Sequence, residues 1–243
     1  MKTLSFVYPY YDNPKMLAHQ FGVWAAYPQE LKARIEIVLV DDASPRWPAL
    51  EVKRPDGLPG LRIYRVRVDK PWHQHGARNL GAREAAGDWL FMTDMDHVLP
   101  AESLAKLLEV QNTSRFYTFA RLDSWTMQPT LRENGETRLH PNSFAVTKDL
   151  FWRVGGYDED YCGVYGTDKL FLERLRTFAD ERHLEDVPLL RFTRDIVADA
   201  STTTLGRKEG REKGAKEKIK ARKFAEGRAG EIKVLAFEWD RVL

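Results

Sequence analysis

Trp89-Leu90-Phe91-Met92-Thr93-Asp94-Met95-Asp96-His97 is an apolar run that ends in two carboxylates one residue apart, with an imidazole beside them. Its apolar part reads as a buried strand. The acidic pair then falls where the chain leaves a sheet, and open α/β sheets bind ligands beyond the carboxyl ends of their strands. Two carboxylates held this close repel each other unless a cation or a shared proton relieves them. A hard divalent metal gives that relief and leaves coordination positions for phosphate oxygens. The stretch points to metal-dependent chemistry on a phosphate-bearing substrate.

Upstream of this strand, Leu4 to Tyr8 reads as a short strand stopped by Pro9. Asn13-Pro14 is a helix start, Asn as N-cap and Pro as the first helical residue, for a helix running to Tyr27. Ile35 to Val40 is a second strand that ends in Asp41-Asp42, and Arg46 to Gly60 is a Pro-rich charged loop. Leu61 to Val68 alternates as a half-buried strand, and Gly76 to Ala86 has helical spacing. This alternation of strands and helices is the rhythm of a mostly parallel sheet with helices on both faces.

Downstream, Ala101–Val110 and Lys148–Val154 read as helices and Phe116–Leu122 as a strand, while Ser124–Pro141 has no clear period. Thr167–Ala179 reads as a strong helix, with Leu170, Phe171, Leu175 and Phe178 on one stripe. From Gly206 to Lys233 the chain carries 11 Lys or Arg against 5 Glu, a net of +6 within a whole-chain net of +2. The remainder is then near −4, an ordinary globular balance. Residues 206–231 read as a basic segment, either a solvated helix with pairs such as Glu212–Lys216 or a mobile stretch. Residues 232–243 turn apolar again and are expected to dock on the core.

The 243 residues suit one large α/β domain spanning 1–205. Cys162 is the only cysteine, which excludes an intrachain disulfide and a cysteine-based metal site. No run approaches the ~20 apolar residues of a membrane helix, and the N-terminal residues lack a signal-peptide core. A cytoplasmic protein without a membrane anchor is expected.

Three acidic sites carry the chemistry. Asp41-Asp42 follows the second strand, Asp94-Met95-Asp96 ends the opening stretch, and Asp168 opens a helix after Gly155-Gly156-Tyr157-Asp158-Glu159. Parallel strands bring the first two to one edge. A metal on Asp96 and Asp94 would neutralise a diphosphate leaving group. A free carboxylate at Asp168 would take a proton from an attacking hydroxyl. Each feature also has a plain structural use: Asp-x-Asp suits turns, and Asp168 suits a helix N-cap.

Taken in order, Phe6-Val7-Tyr8-Pro9-Tyr10-Tyr11-Asp12, Val40-Asp41-Asp42-Ala43-Ser44, Gly76-Ala77-Arg78-Asn79-Leu80-Gly81 and Asp94-Met95-Asp96 resemble the nucleotide-sugar half of family-2-type glycosyltransferases of the GT-A fold. Val154-Gly155-Gly156-Tyr157-Asp158-Glu159 and Tyr165-Gly166-Thr167-Asp168 resemble their acceptor half. This second block also resembles the C-terminal motif of galactosyltransferases and polypeptide N-acetylgalactosaminyltransferases. The resemblance implies an α/β GT-A (Rossmann-like) fold with a nucleotide-sugar half over 1–100 and an acceptor half over 101–205. It implies that Pro9 and Tyr10 line a nucleoside pocket, that Asp42 bonds the base, often uracil, and that Arg78 lies near the diphosphate or the sugar. Asp94 would touch ribose or metal, Asp96 would ligate Mn²⁺ or Mg²⁺, and His140 is a candidate third ligand. Asp168 would be the general base of an inverting transfer, and Gly155-Gly156 a tight turn where the acceptor approaches.

Thr167 and Lys169 depart from the family pattern, which has an acidic residue before the base and an acidic or aromatic one after it. Lys169 is expected to lower the pKa of Asp168. The implied activity is metal-dependent transfer of a sugar from a nucleoside-diphosphate sugar, a UDP-sugar in the first place, to a hydroxyl of a glycan or protein. Two alternatives stand beside it. One is a catalytically silent protein that binds sugar nucleotides or glycans. The other is a transferase whose acceptor is nucleic acid such as DNA, which the basic segment would track.

Overall fold

Residues 4–110, 112–131, 135–137, 139–201 and 212–243 are described by the structure, a computed structural model. In chain order the strands are β1 (Leu4–Tyr10), β2 (Ile35–Asp41), β3 (Gly60–Val66), β4 (Trp89–Met92), β5 (His97–Val98), β6 (Arg115–Asp123), β7 (Phe144–Thr147), β8 (Asp180–Arg191) and β9 (Trp239–Arg241). The helices are α1 (Pro14–Ala26), α2 (Gln29–Lys32), α3 (Gln74–Glu84), α4 (Ala101–Leu108), α5 (Lys148–Arg153), α6 (Lys169–Leu175) and α7 (Ala215–Ala225). The strands form one sheet in the order β5-β8-β6-β7-β4-β1-β2-β3-β9. Its centre, β4-β1-β2-β3, is parallel, whereas β7, β9 and β5 pair antiparallel with their neighbours.

The central strands are near-continuous apolar runs because both of their faces are covered. Phe6, Tyr8, Ile37, Leu39 and Phe91 point to one face, where Met16, Leu17, Phe21 and Trp24 of α1 and Leu104 and Leu107 of α4 meet them. Val7, Val38, Val40, Leu90 and Met92 point to the other, under Ala77 and Leu80 of α3, Leu150 and Phe151 of α5, and Phe171 and Leu175 of α6. Helix α3 lies so close to β1 that a Cβ on Gly81 would overlap Val7 Cγ1.

Several elements differ from the sequence expectation. Strand β1 continues through Pro9 to Tyr10, because β4 ends opposite Val7 and leaves Pro9 with β2 as its only strand partner. Strand β7 and the 12-residue β8 carry no clear alternating signal and were not expected. Strand β8 begins at Asp180, opposite Arg115 of β6, so the helix expected over Thr167–Ala179 shortens to α6 and Phe178 is left exposed. Asn13 holds the N-cap position of α1, but its side chain makes no capping bond. Asp199 caps the helix instead, accepting from Lys15 N and Met16 N at 2.8 Å each.

Part of the basic segment forms α7, and residues 202–211 lie outside the described residues. Glu212 pairs with Lys218, not with Lys216. Lys223 is buried and reaches Asp158 at 2.5 Å and Asp160 at 3.2 Å, and Arg228 reaches Asp160 at 3.0 Å. Leu235, Phe237 and Trp239 pack on the second face of the sheet, and β9 closes its edge against β3. Among the described residues no helix is long and apolar enough to cross a membrane.

The remote cap yields a direct expectation. Asp199→Ala removes both acceptors at the start of α1 and is expected to lower unfolding stability by about 1 kcal/mol, read from urea denaturation. An unchanged midpoint would mean that solvent satisfies these amides equally well.

Candidate functional site

The carboxyl ends of β1, β2 and β4 open into one cleft of about 370 Å³, in the range of small-ligand sites. Pro9 and Tyr10 from β1, Asp42 after β2, and Asp94 and Asp96 after β4 all line it. His140 and Asn142 from the chain before β7, and Asp168 at the start of α6, complete the wall. Asp42 is buried, its Oδ1 lies 3.1 Å from His73 Nδ1, and burial pushes its carboxyl up. Tyr10 is nearly fully covered, and its hydroxyl donates to Trp47 O at 2.5 Å.

Arg78 is not on the cleft surface. It is wholly buried beneath it and donates to Asp94 Oδ1. Its Nη1 lies 3.5 Å from Asp168 Oδ1, and its guanidinium sits 5.6 Å from the centre of the Tyr157 ring. Asn142 satisfies two neighbours in one amide orientation, Oδ1 accepting from Arg78 Nη2 at 3.0 Å and Nδ2 donating to Asp168 Oδ1 at 3.3 Å. Arg78 thereby braces two cleft carboxylates from below.

Asp168 stands at the N-cap position of α6, yet its side chain makes no capping bond. It turns away from the helix toward Gln74, His75 and Arg78 of α3. Gln74 Nε2 donates to Oδ1 at 2.8 Å, and His75 Nε2 lies 3.4 Å from the same oxygen. Burial alone would raise this carboxyl, but the His75 hydrogen bond and the Arg78 charge outweigh it and hold the pKa at about 2. Lys169 is exposed and is not among the groups that set this value. The cation that governs Asp168 is therefore Arg78, across the fold, and not its sequence neighbour.

The second half of the motif serves the fold as much as the cleft. Gly155 and Gly156 both have positive φ, and a Cβ on Gly156 would come within 2.8 Å of Asn79 Oδ1. Asn79 accepts from Tyr157 N at 2.8 Å and donates to Tyr157 O at 2.8 Å and Glu159 Oε1 at 2.9 Å. What approaches the Gly155-Gly156 turn in this structure is the protein's own Asn79 and Ile232.

The candidate metal ligands are only partly assembled. Among the described residues no three His, Cys, Asp or Glu side chains stand together as a metal-holding group. Asp94 Oδ1 is taken by Arg78, and Asp94 Oδ2 lies 3.3 Å from His140 Nε2. Asp96 Oδ1 bonds His97 Nδ1 at 2.8 Å, and no described group reaches its other oxygen. His140 stacks on His97 at 4.2 Å, and burial pushes its pKa well down, so its imidazole is neutral. A carboxylate oxygen and a neutral imidazole suit a divalent ion that takes its remaining ligands from phosphate and water.

Sequence reading did not single out Gln74, His75 as a partner of Asp168, or Asn142. A signal for the first two was present. Gln74 and Arg78, and His75 and Asn79, are i, i+4 pairs and form two adjacent rows on α3.

Removing the buried cation exposes the dependence of both carboxylates on it. Arg78→Leu is expected to cost about 3–5 kcal/mol at pH 7, the range for breaking a buried pair from one side. In the wild type Asp168 stays ionised and stabilising until the pH approaches about 2. In the variant its pKa moves up, so protonation relieves the unpaired charge earlier and the deficit shrinks as pH falls toward 4. Urea midpoints at the two pH values check this, and a deficit independent of pH would contradict it.

The sequence profile of glycosyl transferase family 2 matches residues 5–164. A curated relative from Sodalis glossinidius (strain morsitans), undecaprenyl-phosphate 4-deoxy-4-formamido-L-arabinose transferase, is 31% identical over 107 residues, which is 44% of this chain and 33% of the relative. The chain thus spans about a third of that relative's length in the matched region. The structure of S. aureus TarS 1-349 in complex with UDP superposes with a TM-score of 0.57 at 17% identity, covering 77% of this chain and 59% of that one. GalNAc-T7 with UDP, GalNAc and Mn²⁺ superposes with a TM-score of 0.60 at 15% identity, covering 79% and 43%. These two likenesses establish the GT-A glycosyltransferase fold. The family match takes in the first two strands, the α3 motif, the acidic pair and the Gly155-Gly156 turn, and the chain belongs to glycosyl transferase family 2.

Proposed function

We propose that this chain transfers a sugar from a nucleoside-diphosphate sugar, UDP-linked in the first place, to a hydroxyl acceptor with inversion at the anomeric carbon. The observation that carries the proposal is convergence. Asp42, the Asp94/Asp96 pair and Asp168 come from three separate places in the chain and line one cleft, with the first two at the carboxyl ends of parallel strands. Asp42 offers a buried carboxylate to an N–H of the base, beside Pro9 and Tyr10. Asp96 and His140, with Asp94 adjoining, would hold Mn²⁺ or Mg²⁺. Such an ion supplies positive charge against the departing diphosphate.

Asp168 supplies the base. Its carboxylate accepts the acceptor's hydroxyl proton as the oxygen bonds the anomeric carbon, while the sugar–phosphate bond breaks and its electron pair leaves with the diphosphate. A residue at a helix start that forgoes its capping bond and faces a cleft is placed for such work. UDP in the two solved relatives supports the uridine preference, and Mn²⁺ in one of them supports the metal. With one cysteine and no membrane-crossing helix among the described residues, the cytoplasm is the compartment proposed.

The test is release of nucleoside diphosphate from a panel of UDP- and GDP-sugars, with Mn²⁺ and with EDTA. Turnover is expected only with metal. Asp96→Ala is expected to abolish it while circular dichroism and Tm hold, and Asp168→Asn to lower kcat about 10²–10⁴-fold. Metal-dependent UDP binding without turnover of any donor would favour the silent sugar-nucleotide-binding alternative. Turnover unaffected by EDTA and by Asp96→Ala would sink the metal assignment.

A further inference from the structure

Among the described residues the hydrogen bonds to the Asp168 carboxylate end on one oxygen, and the ion-pair contacts of His75 and Arg78 fall on that same oxygen. Gln74 Nε2 is 2.8 Å from Oδ1, His75 Nε2 is 3.4 Å from it, and Arg78 Nη1 is 3.5 Å from it. Asn142 Nδ2 reaches the same atom at 3.3 Å. Among the described residues no hydrogen bond is donated to Oδ2, although Asp168 lines the cleft. The terminal torsion of an aspartate is broad and roughly two-fold, so its two oxygens exchange freely unless one is held. Of the four donors Gln74 is the nearest, and it also lines the cleft. Arg78 is wholly buried and His75 almost so, and neither of them lines the cleft.

We propose that Gln74 is a positioning residue for the transfer: its amide pins Asp168 Oδ1 and so presents Oδ2 to the acceptor hydroxyl as the oxygen that takes the proton. This rests on the reading of Asp168 as the base. Gln74 touches no reacting atom. It shortens the search of the carboxylate for the productive orientation, an effect that belongs to the chemical step and not to donor binding. Its place as the first residue of α3, one turn before Arg78, fixes the reach of its amide by the same helix that carries the buried cation.

Gln74→Met keeps side-chain length and helix propensity and removes the donor. With the nucleotide sugar that the wild type turns over, kcat is expected to fall about tenfold or more, as for a lost hydrogen bond to a charged group. KM for the donor and UDP affinity by calorimetry are expected to hold. In an Asp168→Asn background the same substitution is expected to change kcat less than twofold, because Gln74 acts through Asp168. An independent readout needs no turnover. ¹³C-carboxyl NMR of Asp168, which faces Gln74, His75 and Arg78 from α3, His140 and Asn142 from the chain before β7, and Thr167 and the exposed Lys169 from its own segment, is expected to show its pKa rising from about 2 in Gln74→Met.

An unchanged kcat in Gln74→Met, or a loss of equal size in both backgrounds, overturns the positioning role and leaves Asp168 as the base. Wild-type kcat in Asp168→Asn, or no turnover of any donor by the wild type, removes the base reading itself and this role with it. A fall in kcat matched by a rise in donor KM would place Gln74 in donor binding and overturn the proposal.

Discussion

A guanidinium with no exposed surface must be balanced where it lies, because arginine does not give up its proton inside a protein. Arg78 is such a group, and its partners come from different parts of the chain: Asp94 after β4, Asn142 before β7, Asp168 at the start of α6. The sheet can bury Arg78 only if all three are brought to it. The half of the fold that carries Asp168 is therefore held to the half that carries Asp94 by electrostatic necessity. The cleft forms above this junction, and two carboxylates of its wall, Asp94 and Asp168, are the ones that neutralise the cation.

Asn79, next on the same helix, extends the constraint to the chain's end. It bonds the backbone of Tyr157 and the carboxylate of Glu159, and Glu159 in turn accepts from Leu235 N at 2.6 Å and Ala236 N at 2.9 Å. Asp158 and Asp160, on either side of it, bind Lys223 of α7. Three consecutive acidic residues thus tie α3, α7 and the segment leading to β9 together. Lys223 shows that the basic composition of the segment is not all surface charge: its ammonium is buried between Asp158 and Asp160, and that pairing holds its pKa up against the burial that opposes it. Two exposed cations, Lys218 and Arg222, pair with nearby Glu at the surface, where such pairs contribute little.

How much of this was legible in the sequence depended on whether the cause was local. The apolar strands announced themselves because both faces are covered, and the acidic residues at their ends followed from sheet geometry. Strand β8 did not. With Asp180, Glu181, Arg182 and Glu185 among its residues it reads as solvated chain, and it is a strand because β6 pairs with it along one side, across a bulge between Phe119 and Arg121. Asp199 caps a helix 183 residues away, which no local pattern encodes. The same holds at the candidate site. Lys169 was the obvious neighbour of Asp168, but the groups that set its charge are Arg78 and His75, about 90 positions earlier. The i, i+4 spacing from Gln74 to Arg78 was readable, whereas the docking of α6 onto that row was not.

The low pKa of Asp168 bears on how such a base would work. A carboxylate near 2 is fully ionised at neutral pH and ready to accept a proton, but it binds one weakly. The balance that produces this value has a definite direction. Burial pushes the carboxyl up, while His75 and the Arg78 charge pull it down. A substrate filling the cleft expels water from the Asp168 side and strengthens the first effect. The charge of Arg78 is already shared with Asp94, so it opposes that rise less than an undivided cation would. On this physics a filled cleft would push the Asp168 carboxyl up, and in the role proposed for it that would make it a stronger base, while the low value in the empty cleft keeps it charged.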